Sequence, residues 1–244
     1  TSVQREINSL RAAWQQCSIA HDINQQNPFS NQPIKGLGTD SQERQTPSLS
    51  QTRDLIKFLE ARHMRLPNSY ISATVMVAAL TGSRLNEIWG LMDEDYLRPQ
   101  QDEKLGVLYI RKNTRRVNLK TKNSIRPFPV LPELGYWLDA LLKVRRPKNS
   151  NTASSGTLAA IKKAGFTFGN HSLRHGLKQR LIETDTPSDT INELCGWGAQ
   201  RQQDNYGFKT VTARKAESIR KVYRLFFDND SASNVIHVEF GGIS

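Results

Sequence analysis

The sequence is short of several features, and each shortage excludes a class of protein. Only two cysteines occur among its 244 residues, Cys17 and Cys195. They stand outside any CxxC or cysteine–histidine spacing, which argues against structural zinc and for a reducing compartment, so we expect a cytoplasmic protein. No apolar run approaches the ~18 residues of a membrane-spanning helix, and the amino terminus lacks a signal-peptide pattern. There is also no Walker loop and no carboxylate cluster, so we expect neither a metal nor a nucleotide cofactor.

Acidic residues are the minority among the charged ones. Lys and Arg total 34 against 23 Asp and Glu, which gives a formal net charge of +11. An excess of that sign and size suits a polyanionic partner such as nucleic acid. The alternative is a basic protein that is merely soluble, and charge alone favours nucleic acid only slightly over it.

The first 47 residues divide into a helix and a polar connection. An apolar stripe at helical spacing predicts an amphipathic helix over residues 1–20; its members are Val3, Ile7, Leu10, Trp14 and Cys17. Residues 22–47 are rich in Asn, Gln, Pro and Gly, as linkers are. The helix starts abruptly, with no partner helix before it, so the chain is expected to begin inside an earlier domain.

Residues 48–228 are expected to form one main domain. Ser50 is a candidate N-cap for its first helix, and the nearly continuous apolar run after Pro67 predicts a buried helix that stops at Gly82. Apolar residues at helical spacing predict further helices at 132–143, 155–164, 170–181, 188–196 and 211–227.

Between Gly106 and Val130 the apolar period changes to two. The segments GVLYIR, RVNLK and SIRPFPV alternate and contain β-branched residues, with basic residues crowding the turns. They predict a small antiparallel three-stranded sheet. The expected fold class is therefore mixed α+β, mainly α-helical.

An arginine follows the buried helix at a position where it needs a partner. Arg84 stands at the start of the next helix, and burying its charge unpaired would be costly. Glu87, three residues further on, is placed to pair with it. The alternative is a structural Arg–Glu pair on the surface.

The segment from Asn170 to Phe208 contains a second group of residues suited to an anion. Asn170 is a candidate N-cap for a helix that carries His171 and Arg174 on its first turn. The positive end of the helix dipole favours a bound phosphate there. An HxxR pair by itself is more often a surface pair, so the residues that accompany it decide whether it belongs to an active site.

Two of those companions lie further along the chain. The motif LCGW ends at Trp197, and Tyr206 follows nine residues later in a polar segment. The tyrosine hydroxyl is therefore more plausibly exposed than packed, and a tyrosine beside a phosphate clamp can act as a nucleophile. A lone tyrosine is weak evidence for an active site, but the order and spacing of all these elements together are much stronger evidence.

The order and spacing of four motifs resemble those of the tyrosine recombinases. The motifs are TGSRLNEI, the lysine of KTKNSIRPFPV, HSLRH, and GW with a tyrosine nine residues later. The tyrosine recombinases are the phage-integrase family of DNA strand-exchange enzymes, and the resemblance covers about residues 46–228. It implies the catalytic-domain fold of that family. It also implies a site-specific DNA recombinase or integrase that needs no metal and no ATP.

The resemblance implies roles for the matched residues. Tyr206 would attack the phosphorus and form a 3′-phosphotyrosyl link. Arg84 and Arg174 would hold the nonbridging oxygens, and Glu87 would orient Arg84. His171 would help to take the proton of the tyrosine.

The resemblance also implies a hairpin lysine that donates a proton to the departing 5′-oxygen. Lys120 fits the family spacing best, and Lys122 is a close rival. Trp197 stands where most members have histidine; its indole N–H can donate a hydrogen bond but cannot shuttle a proton. His175 is expected to pack behind the site or in the core.

Further implications concern partners and domains. The resemblance implies double-stranded DNA as the substrate, a homotetramer on that DNA, association with the nucleoid, and an accessory DNA-bending protein as a further partner. It makes residues 1–21 the last helix of a truncated core-binding domain, joined by the linker to a catalytic domain at 48–228. An ordinary first helix of the same domain is the alternative.

Residues 229–244 form a tail whose segment NVIHVEF alternates like a strand. We expect residues 234–240 to pair with the small sheet, in a neighbouring subunit when DNA assembles the complex. The alternative functions are a type IB topoisomerase-like enzyme, a DNA-binding protein with a decayed site, and a structural protein of a nucleoprotein particle. The HxxR motif and the filled catalytic positions favour the recombinase.

Overall fold

The computed structural model of the protein describes residues 2–32, 45–100, 105–117, 119, 124–197 and 213–228. The chain divides into two compact units, Thr1–Arg44 and Gln45–Ser244. None of the helices in the described part is long and apolar enough to cross a membrane.

The amino-terminal unit consists of helix α1, Ser2–Ala20, and the turns that follow it. Those turns fold back onto the helix: Arg11 Nε donates to the carbonyl of Phe29 at 2.6 Å, and the Asn27 amide donates to the carbonyl of Arg11 at 3.1 Å. The predicted helix is confirmed. Its apolar stripe is only partly covered within the described part of this unit, since Val3 is 53% exposed and Leu10 46%.

The larger unit is mainly helical and contains one antiparallel sheet of three strands, so the expected mixed α+β class is confirmed. Its helices are α2 (Leu49–Arg65), α3 (Tyr70–Thr81), α4 (Leu85–Trp89), α5 (Pro132–Lys143), α6 (Ser150–Lys163), α7 (Asn170–Glu183), α8 (Ser188–Cys195) and α9 (Ala213–Phe227), and its strands are β1 (Tyr96–Leu97), β2 (Gly106–Ile110) and β3 (Arg126–Val130).

Helix α3 is the centre of this unit. It is apolar on every side, and α2, α5, α6 and α7 all pack against it, so its residues from Ser72 to Thr81 are buried. Gly82 ends the helix in the left-handed conformation with φ +60°, where an L side chain would be strained. A Cβ at Gly82 would also lie 3.0 Å from Cδ2 of Leu177. The predicted glycine stop is therefore confirmed.

Two predicted helix starts are wrong, because other side chains supply the caps. Helix α2 is capped by Ser48 rather than Ser50: the Ser48 hydroxyl accepts from the Gln51 N–H at 3.1 Å, and the Gln51 side chain accepts from the Ser48 N–H. Helix α6 starts at Ser150, five residues earlier than predicted, because Asn149 caps it through the N–H of Thr152.

The composition of the sheet also differs from the prediction. Strand order is β1–β2–β3, with Tyr96 opposite Leu108 and Leu108 opposite Phe128. The predicted strand RVNLK is absent at its described residues, and β1 takes the third place instead. Arg116 explains the difference, because its side chain is 4% exposed and points inward to the Asp95 carboxylate and the carbonyl of Arg111.

Helix α9 closes the unit by packing against α2, α7 and β3. The hydroxyl of Tyr223 donates to the carbonyl of Leu80 at 3.0 Å, and Arg53 Nε donates to the carbonyl of Leu225 at 2.7 Å. Leu80 lies in the last turn of α3, whose carbonyls lack partners within the helix. Burial raises the pKa of Tyr223 well above 10, so its hydroxyl remains a donor.

Replacing Tyr223 with phenylalanine is expected to lower the free energy of unfolding by about 1–3 kcal/mol, because the buried carbonyl of Leu80 loses its donor. Urea denaturation followed by circular dichroism measures the change. Tyr136→Phe is the control, since Tyr136 is 44% exposed and should give a change within about 0.5 kcal/mol. Equal effects of the two variants would contradict the structural role of the Tyr223 hydroxyl.

Candidate active site

The candidate site lies where the ends of α3 and α8, the starts of α4 and β3, and the second turn of α7 meet. Arg84 is the N-cap residue of α4. Its backbone N–H donates to Glu87 Oε2 at 3.0 Å, and its Nη1 donates to Glu87 Oε1 at 2.8 Å. One turn of helix thus brings the carboxylate back to the arginine, and the predicted pairing is present. The Arg84 side chain remains 21% exposed, whereas that of Glu87 is buried.

Glu87 carries a negative charge in the interior. Burial raises its pKa, but the charge of Arg126 and the hydrogen bonds from Arg84 and Arg126 outweigh that effect and hold the pKa below its ordinary value. The carboxylate is therefore ionised at neutral pH. It can fix the orientation of the Arg84 guanidinium, because both of its oxygens accept hydrogen bonds from that residue.

Arg126, the first residue of β3, was not among the predicted site residues. Its side chain is 1% exposed, and its Nη2 pairs with Glu87 Oε2 at 3.1 Å. Its Nε donates to the carbonyl of Leu194 at 2.9 Å, and its other donors reach the Ser83 hydroxyl and the Ser124 carbonyl. The buried guanidinium of Arg126 therefore connects the carboxylate of Glu87 to the last turn of α8.

Arg174 is buried at 1% exposure. Its Nη1 donates to the carbonyl of Gly82 at 2.8 Å and its Nη2 to the carbonyl of Cys195, while its buried Nε–H has no acceptor among the described residues. Burial, followed by the charges of Arg126 and Arg84, lowers the pKa of Arg174 to about 10, which leaves it charged at pH 7. Within the described ranges, no carboxylate forms an ion pair with it.

The predicted arrangement at the start of α7 is partly wrong. Gly169 is the N-cap, and Asn170 is the first helical residue; its amide donates to the Thr157 hydroxyl at 2.8 Å instead of capping the helix. His171 therefore lies on the first turn and Arg174 on the second. His171 is exposed, whereas Arg174 runs inward to the two carbonyls.

Trp197 follows Gly196, which ends α8 in the left-handed conformation with φ +65°. Its indole ring lies 4.7 Å from the guanidinium carbon of Arg174 and 4.6 Å from Nζ of Lys178. His175 lies between the tryptophan and His171: its ring centroid is 6.0 Å from that of Trp197 and 4.9 Å from that of His171. The expectation that His175 packs behind the site agrees with this position.

The structure thus brings Arg84, Glu87, Arg174 and Trp197 together and places His171 on the neighbouring surface of α7. Lys120, its rival Lys122, and Tyr206 lie outside the described residues. Sequence reasoning missed Arg126, although SIRPFPV gave one signal: an arginine at the start of a segment that is otherwise apolar. Such an arginine is either exposed at a strand end or buried with a partner.

Replacing Glu87 with glutamine is expected to destabilise the protein by about 3 kcal/mol at pH 7, because the guanidiniums of Arg84 and Arg126 then lack their shared counter-charge. Since the folded-state pKa is depressed, the contribution of Glu87 is present above its ordinary pKa of 4.5 and is lost as the pH falls through the folded-state value. Urea denaturation at pH 7 and pH 3.5 tests this, and the gap between the variant and the unmodified protein should narrow at the lower pH. Glu217→Gln is the control, because the Glu217–Arg220 pair is exposed and should contribute at most about 1 kcal/mol.

No protein-family model matches the sequence, and comparison with curated proteins also finds no match. Solved structures do match. A structure of the Tn1549 transposon integrase in complex with a circular intermediate DNA aligns with a TM-score of 0.59 and 17% identity, covering 90% of this chain and 78% of that chain. A structure of the same integrase with transposon right end DNA aligns with a TM-score of 0.58 and 17% identity, covering 88% and 77%.

An integrase from mycobacterium phage Brujita aligns with a TM-score of 0.49 and 18% identity, covering 88% of this chain and 70% of that chain. The transposon integrase structures are sufficient to establish the fold of this chain: it is the integrase catalytic-domain fold that the sequence motifs led us to expect.

Proposed function

We propose that this chain is the catalytic part of a tyrosine-type site-specific DNA recombinase, which cleaves and rejoins DNA strands through a 3′-phosphotyrosyl intermediate. The proposal extends to residues 48–228 as the catalytic domain and to α1 as the end of a core-binding domain, with residues 229–244 as a strand-like tail. Double-stranded DNA is the substrate, and a homotetramer on DNA, near the nucleoid in the cytoplasm, is the working form.

The observation that carries the proposal is an excess of positive charge around one point. Two guanidiniums, those of Arg84 and Arg126, pair with the carboxylate of Glu87, and the third, that of Arg174, is close enough for the charges of Arg126 and Arg84 to lower its pKa. In the part of the chain that the structure describes, Arg174 has only carbonyl acceptors and one buried N–H without an acceptor. A phosphodiester is an anion of the charge and geometry that arginine forks bind best.

The proposed reaction starts when the hydroxyl oxygen of Tyr206 attacks the scissile phosphorus. The new O–P bond forms as the bond from phosphorus to the 5′-oxygen breaks. The proton of the tyrosine passes toward His171, and the 5′-oxygen takes a proton from the hairpin lysine, Lys120 or Lys122. Attack by the 5′-hydroxyl of another strand reverses these steps, so the energy of the phosphodiester is kept without a cofactor.

The described residues would support this chemistry through charge and position. Arg84 is the more accessible arm, with Glu87 fixing its orientation, and Arg174 is the buried arm. Together they would stabilise the negative charge that builds on the nonbridging oxygens in the transition state. The indole N–H of Trp197 would donate a further hydrogen bond to the same phosphate.

A library of nicked duplexes with randomised sequence provides the test. When such a duplex is cleaved next to its nick, a short fragment is lost and the protein stays attached, so adducts should survive denaturation with detergent. Sequencing the attached DNA would give the target site. If no adduct forms with any duplex while DNA binding persists, the chain is a DNA-binding protein without catalysis.

The recovered site then separates the two enzyme classes. Paired sites on one supercoiled plasmid should yield recombinant products if the chain is a recombinase. Relaxation of supercoils without any recombinant product would identify a type IB topoisomerase-like enzyme instead, and the proposed strand exchange would be wrong.

A further inference from the structure

A second group of cationic side chains lies at the other end of α4 from Arg84. The guanidinium carbon of Arg115 is 4.7 Å from the centre of the Trp89 ring, and its Nη2 donates to the carbonyl of Pro147 at 3.3 Å. The indole N–H of Trp89 donates to the same carbonyl at 2.9 Å. The flat face of Arg115 is therefore held against the ring, with most of its donors unused by that contact.

Arg146, next to Pro147, is the second member of the group. Its Nη1 donates to the carbonyl of Trp89 at 3.0 Å and its Nη2 to the carbonyl of Leu91 at 2.6 Å, so it caps the end of α4. Its Nε–H is buried and has no acceptor within the described ranges. Burial, followed by the charge of Arg115, lowers the pKa of Arg146 to about 10, so the two cations are close enough to repel each other.

Neither cation has a counter-ion in the described part of the chain. Other buried arginines do pair with acids there: Arg116 pairs with Asp95, and Arg126 with Glu87. Arg146 instead shares the pattern of Arg174, with carbonyl acceptors, a buried Nε–H without an acceptor and a lowered pKa. Arg146 therefore resembles Arg174, which is proposed to bind the scissile phosphate. Both are cations without an acidic partner in the described part of the chain.

We propose that Trp89, Arg115 and Arg146 form a binding site for a second phosphate of the DNA backbone, on the same strand as the scissile phosphate. This inference rests on the proposed function and adds a substrate contact to it. A phosphate oxygen would accept from the free donors of Arg115 and Arg146 and would reduce their mutual repulsion. Arg145 and Lys148, which are exposed, flank the site in sequence and add to its positive potential.

The length of α4 indicates which phosphate is meant. The helix has five residues, and at ~1.5 Å of rise per residue it separates Arg84 from the second site by roughly 7.5 Å. Phosphates of one DNA strand are spaced about 3.4 Å apart along the helix axis. A separation of that order corresponds to a phosphate within about two nucleotides of the scissile one.

The experiment combines a protein variant with a neutral backbone linkage. A series of duplexes carrying the recovered target site has one phosphate at a time replaced by methylphosphonate, and binding is measured by fluorescence anisotropy. Arg115→Gln is the main variant, because the Arg115 side chain makes a single weak hydrogen bond within the described structure, at 3.3 Å. Arg98→Gln is the control, because it removes the same charge from an exposed arginine that already pairs with Asp93 and Asp139.

We expect Arg115→Gln to weaken binding roughly tenfold and to reduce the slope of log affinity against log salt by about 0.9. At one linkage near the scissile phosphate, methylphosphonate should weaken binding of the unmodified protein by at least a similar factor. The same linkage should weaken binding of Arg115→Gln clearly less, because only Arg146 then remains to contact that phosphate. Arg115→Lys should keep the salt slope, since the charge is retained. Arg98→Gln should change neither quantity.

The inference would be overturned if, at every linkage, the loss of affinity from methylphosphonate simply added to the loss from Arg115→Gln. Arg115 would then act through folding or general charge. A loss of stability in Arg115→Gln that accounts for the weaker binding would overturn it as well, and urea denaturation measures that stability. The proposed function fails separately: it fails if no duplex in the library forms an adduct, whereas the second phosphate site fails if adducts form normally and no linkage couples to Arg115.

Discussion

Replacing Tyr206 with phenylalanine is expected to abolish covalent attachment to DNA completely, while the affinity for DNA stays within about twofold. In the proposed mechanism this change removes the attacking oxygen, so no phosphotyrosyl bond could form. Affinity survives because phosphate contacts from lysine and arginine dominate binding to DNA, and one hydroxyl adds little to them. The measurement is the yield of detergent-resistant adducts on a nicked duplex, together with a binding isotherm on the intact duplex.

Other tyrosines provide the controls for this result. Tyr136→Phe and Tyr70→Phe should form adducts at the normal rate. Tyr223 cannot be the nucleophile in this fold, since it is 1% exposed and its hydroxyl donates to the carbonyl of Leu80. Adducts formed by the Tyr206 variant would show that a different tyrosine attacks the phosphorus.

Replacing Arg84 or Arg174 with lysine is expected to slow cleavage roughly 100- to 1,000-fold, with a much smaller loss of DNA affinity. Lysine keeps the positive charge but lacks the planar fork that holds two oxygens at once, and that fork contributes most when charge builds in the transition state. Single-turnover cleavage of the nicked duplex gives the rate, and anisotropy gives the affinity.

The two arginine variants differ in what else they remove. Lysine at position 84 loses the Nη1 hydrogen bond to Glu87, whereas lysine at position 174 leaves the carbonyls of Gly82 and Cys195 without their guanidinium donors. Arg84→Lys is therefore the cleaner test, and Arg174→Lys needs a parallel measurement of unfolding. Arg98→Lys should cleave normally. If cleavage and binding fall by the same factor, the two arginines are DNA anchors without a specific effect on the transition state.

Local sequence patterns predicted most of the helical framework. The apolar run of α3 and its glycine stop, the limits of α5, and the pairing of Arg84 with Glu87 all depend on residues within one or two turns of each other. Helical periodicity and capping act over that range, so a single sequence contains the necessary information.

The parts that sequence reasoning missed depend on contacts between distant residues. Arg126 reaches Glu87 across 39 residues and Leu194 across 68. The Arg116 side chain points inward to Asp95, 21 residues away, so the described residues of the predicted strand RVNLK do not join the sheet. No local period signals such a partner, because an arginine before an apolar strand looks the same whether its charge is exposed or buried.

The position of α9 has a consequence for how the chain folds. Its Tyr223 contacts Leu80 across 143 residues, and Arg53 contacts the carbonyl of Leu225 across 172. Contacts of such long sequence separation must wait for large loops to close, which slows folding. Until α9 docks, the faces of α2, α7 and β3 that it covers lack that packing. Helix α7, which carries Arg174, therefore completes its contacts only after the chain has been synthesised as far as α9.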